Sequence, residues 1–113
     1  MTFPPYLAAI PCRLSASVFS GECVFDVALA NGERYESTSP RHFCWTAAGE
    51  LVADDSPLPR DASVSGYIAV KLRDLSPEGE AIVEVPDSVR IAVRSADVRA
   101  RPTVIVPPGA VPA

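Results

Sequence analysis

The chain is poor in the residues that most enzyme chemistry needs. In 113 residues it has one histidine, one tryptophan and one methionine. The histidine and the tryptophan lie close together, as His42 and Trp45 in NGERYESTSPRHFCW. The three cysteines, Cys12, Cys23 and Cys44, include no closely spaced pair. The knuckle of structural zinc sites is therefore missing. An odd count also argues against the disulfide framework of a secreted domain, so free, mostly buried thiols are expected. No apolar run approaches the ~18 residues of a membrane span, and no membrane association is expected. MTFPPYLAAIPC carries no positive charge ahead of its apolar residues and is interrupted by proline, unlike a signal peptide. The expected location is cytoplasmic. A net charge of −4 does not suit a domain whose main task is gripping phosphate backbones. Helical periodicity is lacking too, because 12 prolines and 6 glycines punctuate the chain too often for a long helix.

What is present is a period of two. Cys12, Leu14, Ala16 and Val18 alternate with Arg13, Ser15 and Ser17. Cys23, Phe25, Val27 and Leu29 form a second such run, Ile68, Val70 and Leu72 a third, Ala81, Val83 and Val85 a fourth, and Ile91 with Val93 a fifth. Short alternating runs bounded by Gly, Pro, Asn and Asp are half-buried strands. The expectation is all-β: one small barrel or sandwich of about six or seven antiparallel strands.

Turn parity constrains the pairing. Keeping the apolar residues of the first two runs on one face needs an even loop around Ser20-Gly21, which predicts Val18 opposite Cys23, Leu14 opposite Val27 and Cys12 opposite Leu29. The next turn, Ala30-Asn31-Gly32, must be odd. A three-residue loop with left-handed Gly32 and a bulge predicts Val27 opposite Tyr35.

Residues 13–42 also superpose without a gap on 69–98, an offset of 56. Ser-Gly-Glu falls on Ser-Pro-Glu, Ala-Asn-Gly on Pro-Asp-Ser, and Ser39-Pro40 on Ser95-Ala96. Each copy reads as a three-stranded meander followed by a short Ser-capped helical turn, either a true structural repeat or two similar meanders such as any β-barrel would produce. The second copy is expected to pair Val70 with Val83 and Val83 with Ile91. The domain is placed at residues 12–101, between a proline-rich arm at 1–11 and a proline-rich tail at 102–113, with a surface linker over 46–65 and a short strand at Glu50 to Ala53.

The segment GEAIVEVPDSVRIAVRSADVRA resembles the last part of SH3-like and Tudor-like barrels, which often end in a hairpin, a 3₁₀ turn and a short strand. The resemblance runs from Gly66 to Arg101 and concerns the fold alone. DASVSG resembles the D/N-x-S-x-x-G element of PilZ domains through Asp61, Ser63 and Gly66. That resemblance implies cyclic-dinucleotide binding. In that family an R-x-x-x-R element, whose arginines hold the phosphates, comes earlier in the chain. Here Arg90 and Arg94 have its spacing but come later.

Cys12, Cys23, His42 and Cys44 have the residue types of a zinc site, but the expected register sets Cys12 and Cys23 ~20 Å apart along the sheet. No metal and no cofactor is expected. His42 and Cys44 would share a strand face, with no third group in view to orient them as a nucleophile pair. The expectation is a largely buried His42 and no catalytic set. Asp54-Asp55 reads as a solvated pair. Arg90, Arg94, Arg99 and Arg101 form a basic group without interleaved aromatics, which disfavours RNA. The reading is a non-enzymatic protein-binding or self-associating module, using strand edges and the apolar Val104, Ile105 and Val106 for strand addition. Cyclic-dinucleotide or RNA binding through Arg90 and Arg94 is the alternative, and a small Cys/His enzyme the second alternative.

Overall fold

The computed structural model describes residues 3–53 and 56–102. It is all-β: β1 (Ala8–Ala16), β2 (Glu22–Ala28), β3 (Arg34–Pro40), β4 (Cys44–Thr46), β5 (Val64–Leu75), β6 (Glu80–Glu84), β7 (Arg90–Arg94) and β8 (Arg99–Ala100). Three single 3₁₀ turns interrupt them, at Pro5–Leu7, Arg41–Phe43 and Ser95–Asp97. The strands form one antiparallel sheet in the order β3-β2-β1-β5-β6-β7, curled into a half-barrel. β4 pairs on β5 and β8 on β1.

The order is symmetric about β1 and β5. Each copy contributes a meander, a 3₁₀ turn and a short strand, and each short strand pairs with the first strand of the other copy. The second turn of each meander repeats bond for bond at the offset of 56. Gly32 N–H donates to Leu29 O and Leu29 N–H to Glu33 O. Likewise Ser88 N–H donates to Val85 O and Val85 N–H to Val89 O. Gly32 has φ +88 and Ser88 φ +68, so the left-handed residue predicted at Gly32 occurs in both copies. Val27 faces Tyr35 and Val83 faces Ile91, as predicted.

The first hairpins differ from expectation by two residues each. Leu14 faces Phe25 and Ala16 faces Cys23, not Val27 and Val18. Val18 and Phe19 leave the strand and stand 86% and 66% exposed, because the loop is longer than parity alone required. In the second copy Leu72, not Val70, faces Val83, and the register shifts again between Leu72 and Asp74. Inward residues still meet inward residues in the first copy and as far as Leu72 in the second, since a slip of two preserves the face; past the shift, buried Ala81 faces Leu75, which is exposed. The 3₁₀ turns are not Ser-capped: Pro40 and Arg94 precede them and make no side-chain cap bond. The linker's short strand is reduced to a bridge between Trp45 and Leu51.

β1 begins at Ala8, within the segment read as an arm, and Ala8, Ala9 and Ile10 are buried. Pro11 sits inside this strand without breaking it. Arg101 N–H donates to Leu7 O on the β8 side, so by the period of two the odd residues of β1 direct their backbone groups away from β5. β8 reaches only Ala8 and Ala9, and β2 begins its pairing at Arg13. The missing N–H of Pro11 falls in the gap between them, where no strand asks for it. The core fills the concave side with Ile10, Leu14, Phe25, Val27, Ile68, Val70, Val83, Val85 and Val93.

Candidate functional site

The stretch around His42 forms a corner of the half-barrel. Pro40 ends β3 and the chain turns through Arg41–Phe43 into β4. The expectation of a buried His42 is overturned: His42 is exposed and lies against Phe43 with ring centroids 4.3 Å apart and planes tilted by 44°. Arg41 points inward instead and is 8% exposed. A 3₁₀ turn fans successive side chains around its axis, and here the inward direction falls to Arg41. Its guanidinium donates to Glu22 O at 3.2 Å, Ala53 O at 3.0 Å and Ser56 O at 2.6 Å. A buried cation is tolerated because these carbonyls replace its water.

Beside it lie two thiols. Cys23 on β2 and Cys44 on β4 are both fully buried, with Sγ atoms 3.0 Å apart. The hydrogen bond with Cys44 holds the Cys23 thiol below its ordinary value; burial opposes this, and the nearby Arg41 charge assists it. The same bond, together with burial, pushes Cys44 far up. Burial first, then the neighbouring Cys23, also raises the Cys12 thiol. The observed register brings Cys12 and Cys23 to ~13 Å along the strands, and among the described residues no three His, Cys, Asp or Glu side chains could hold one metal ion. Nothing in the spacing of Cys23 and Cys44 announced their contact, since it depends on how β4 crosses onto β5.

Ser63 and Gly66 are brought together with Arg13, which the sequence reading did not single out. Arg13 donates through Nε to Ser63 Oγ at 3.0 Å, through Nη2 to Ser63 O at 2.7 Å and through Nη1 to Ser65 Oγ at 3.0 Å. A hollow of about 260 Å³ opens beside Arg13, Asp26, Arg34 and Tyr67. Arg34 is tied to Asp26 at 2.7 Å. Gly66 has a packing reason of its own, being flanked by Cys12 of β1 and Thr46 of β4. Asp61 is exposed.

Arg90 and Arg94 occupy β7, at the far end of the sheet, and do not meet Asp61, Ser63 or Gly66. Both are exposed, and Arg90 approaches Glu84 at 3.6 Å. Val104, Ile105 and Val106 lie outside the described residues, as does the Asp54-Asp55 pair.

The two sheet edges are unequal. On β3, the hydrogen bond from Leu29 N–H to Glu33 O fixes the register so that Tyr35, Ser37 and Ser39 exchange bonds with β2. Arg34, Glu36 and Thr38 therefore direct their backbone groups outward, with no backbone partner among the described residues. On β7 the outward positions are Arg90, Ala92 and Arg94, and Ala92 O is taken by Ala30 N–H at 2.9 Å.

Comparison with known proteins gave no match: no family model, no curated protein and no solved structure resembles this chain closely enough to be named. Among the described residues no helix is long and apolar enough to cross a membrane.

Proposed function

We propose that the protein is a non-enzymatic recognition module that takes an extended segment of a partner protein along the β3 edge. The observation that carries this reading is the row of outward backbone groups at Arg34, Glu36 and Thr38, which needs only an added strand to be satisfied. Their side chains are exposed and polar, so specificity would come from charge alternation and affinity from the main chain. Pro40, lacking an N–H, sets the end of the docking edge. The second copy ends in a hairpin, a 3₁₀ turn and a short strand, the order in which SH3-like barrels often end, and that resemblance is part of the proposal.

The test uses a partner isolated by affinity capture and then purified. Thr38→Pro removes one outward donor without removing a bond to β2, while Thr38→Val keeps the donor and changes the side chain. Loss of one main-chain hydrogen bond together with the steric block weakens binding by about tenfold or more in the proline variant. The valine variant binds within about twofold of the parent. A folded Thr38→Pro variant that binds as tightly as the parent refutes edge docking.

A further inference from the structure

Cys23 and Cys44 meet in the interior, yet the fold does not require thiols there. At the offset of 56, Cys23 corresponds to Gly79, Cys44 to Ala100 and Arg41 to Asp97. The second half of the molecule builds the same order of meander, turn and short strand, its turn beginning two residues earlier so that Ser95 takes the place of Arg41 within it, with no sulfur and no buried cation at any of these positions. Buried cysteines usually serve as small apolar residues. Here, though, two of them are in direct contact at 3.0 Å, beside a guanidinium that is itself buried and donates to three backbone carbonyls. This set of features occurs in one copy only.

We propose that Cys23 and Cys44 are a thiol–disulfide pair, oxidised by a small-molecule disulfide such as oxidised glutathione, whose closure locks β2 to β4. The exchange balances in two steps. Cys23, having lost its proton to solvent, attacks one sulfur of the small disulfide and expels one thiolate, leaving a mixed disulfide on Cys23. Cys44 then gives up its proton, attacks the Cys23 sulfur, breaks the mixed disulfide and expels the second thiolate. The two cysteines lose two protons and two electrons, and the small disulfide becomes two thiols.

Cys23 is the attacking group because the hydrogen bond it shares with Cys44 and the nearby Arg41 charge both favour its thiolate, and the thiolate is the reactive form. Reagent reaches the buried pair by local opening of β4, a strand of only three residues held by Cys44–Ile68, Trp45–Tyr67 and Thr46–Gly66 pairings. The bond would close a loop containing β3 and the Arg41–Phe43 turn. Because β4 pairs with β5, it would also fasten the first meander to the second.

The experiment incubates the folded full chain with oxidised glutathione, then quenches it in acid and alkylates. Expected is loss of two hydrogen masses, one alkylatable thiol assigned to Cys12, and a linked peptide pair containing Cys23 and Cys44. A Cys12→Ala variant still forms the bond, and Cys23→Ser does not. The oxidised chain melts roughly 10 °C higher than the reduced chain, a shift set by closing a loop of about 20 residues, and reduction reverses it. Three free thiols after prolonged oxidation, a glutathione adduct that persists on one cysteine, a bond involving Cys12, or an unchanged melting temperature each overturns the proposal.

Discussion

Gly66→Ala is the sharpest probe of how the sheet is built. A β-carbon placed on Gly66 would lie 2.5 Å from Leu14 Cδ1, 2.5 Å from Trp45 O and 3.2 Å from Leu14 Cγ. Leu14 is 1% exposed and packed in the core. Trp45 O belongs to the backbone of β4, which pairs with β5 through the residues on either side of this contact. Overpacking of one methyl typically costs 1–3 kcal/mol, and a backbone obstacle places this case near the top, at about 3 kcal/mol. Alanine restricts the unfolded chain and returns ~0.4–1 kcal/mol. The net loss is about 2 kcal/mol. With a urea slope of ~1.5 kcal/mol/M, the unfolding midpoint falls by about 1.3 M with the slope unchanged. The melting temperature falls by about 8 °C. Adding Leu14→Ala removes one of the two obstacles, so the double variant is less destabilised than the sum of the single changes by about 1 kcal/mol. Gly21→Ala is the control. There φ is +80 and nothing stands within 4 Å, so only backbone conformation is penalised, by ~1 kcal/mol. A Gly66→Ala protein with an unchanged midpoint would refute the packing account. It would also return Gly66 to the ligand reading of D-x-S-x-x-G, in which binding, not stability, is what the methyl disturbs.

Two further outcomes follow from the corner and the seam. Arg41→Met keeps the aliphatic stem but removes the guanidinium donors from the carbonyls of Glu22, Ala53 and Ser56, of which Ala53 O keeps the N–H of Ser56, and this lowers stability by about 2 kcal/mol in urea melts. The neighbouring His42→Ala stays within about 0.5 kcal/mol of the parent, and a reversal of that order would show that the turn is rotated. Asp87 accepts from Tyr35 Oη at 2.6 Å and Ser37 Oγ at 2.7 Å. Burial raises its carboxyl, but these donors and backbone N–H groups outweigh burial and hold it below its ordinary value of 3.8. A depressed carboxylate contributes stability above its unfolded pKa and loses it as pH falls through the folded one. Asp87→Asn therefore lowers the melting temperature at pH 7 and flattens its decline below about pH 4, where the parent and variant curves converge; parallel curves would exclude the linkage.

Pattern and parity carried the class, the two meanders and the second turn of each copy, because a three-residue loop with a left-handed residue fixes one register. The first hairpins were legible only to within two residues. Parity forbids a slip of one, which would turn the core outward, but it does not see a slip of two. Val18 continued the alternation and yet lies in the loop, so pattern alone overran the strand. Pro11 hid the start of β1, since the sequence does not show that its N–H position faces a gap between two other strands. The choice between Arg41 and His42 for the interior rests on the facing of a single 3₁₀ turn, and the offset of 56, which lays His42 over the apolar Val98, favoured the wrong residue. The Cys23–Cys44 contact needs the pairing of β4 on β5, a tertiary fact that no local spacing encodes.

The pseudo-symmetry also accounts for the unequal edges. In one direction Ala30, in the turn after β2, donates its N–H to Ala92 O and occupies the middle of the β7 edge. Shifted by 56 residues, the same bond would run from residue 86 to Glu36 O on β3. Residue 86 is Pro86, which has no N–H to give. The turn after β6 instead holds β3 through Asp87, which takes the side chains of Tyr35 and Ser37 and leaves the backbone of Glu36 facing outward. One proline thus converts a seam closed by the main chain into one closed by side chains. The edge left open by that change lies inside the loop that a Cys23–Cys44 bond would close. The departures from pseudo-symmetry therefore fall on the same elements as both proposals.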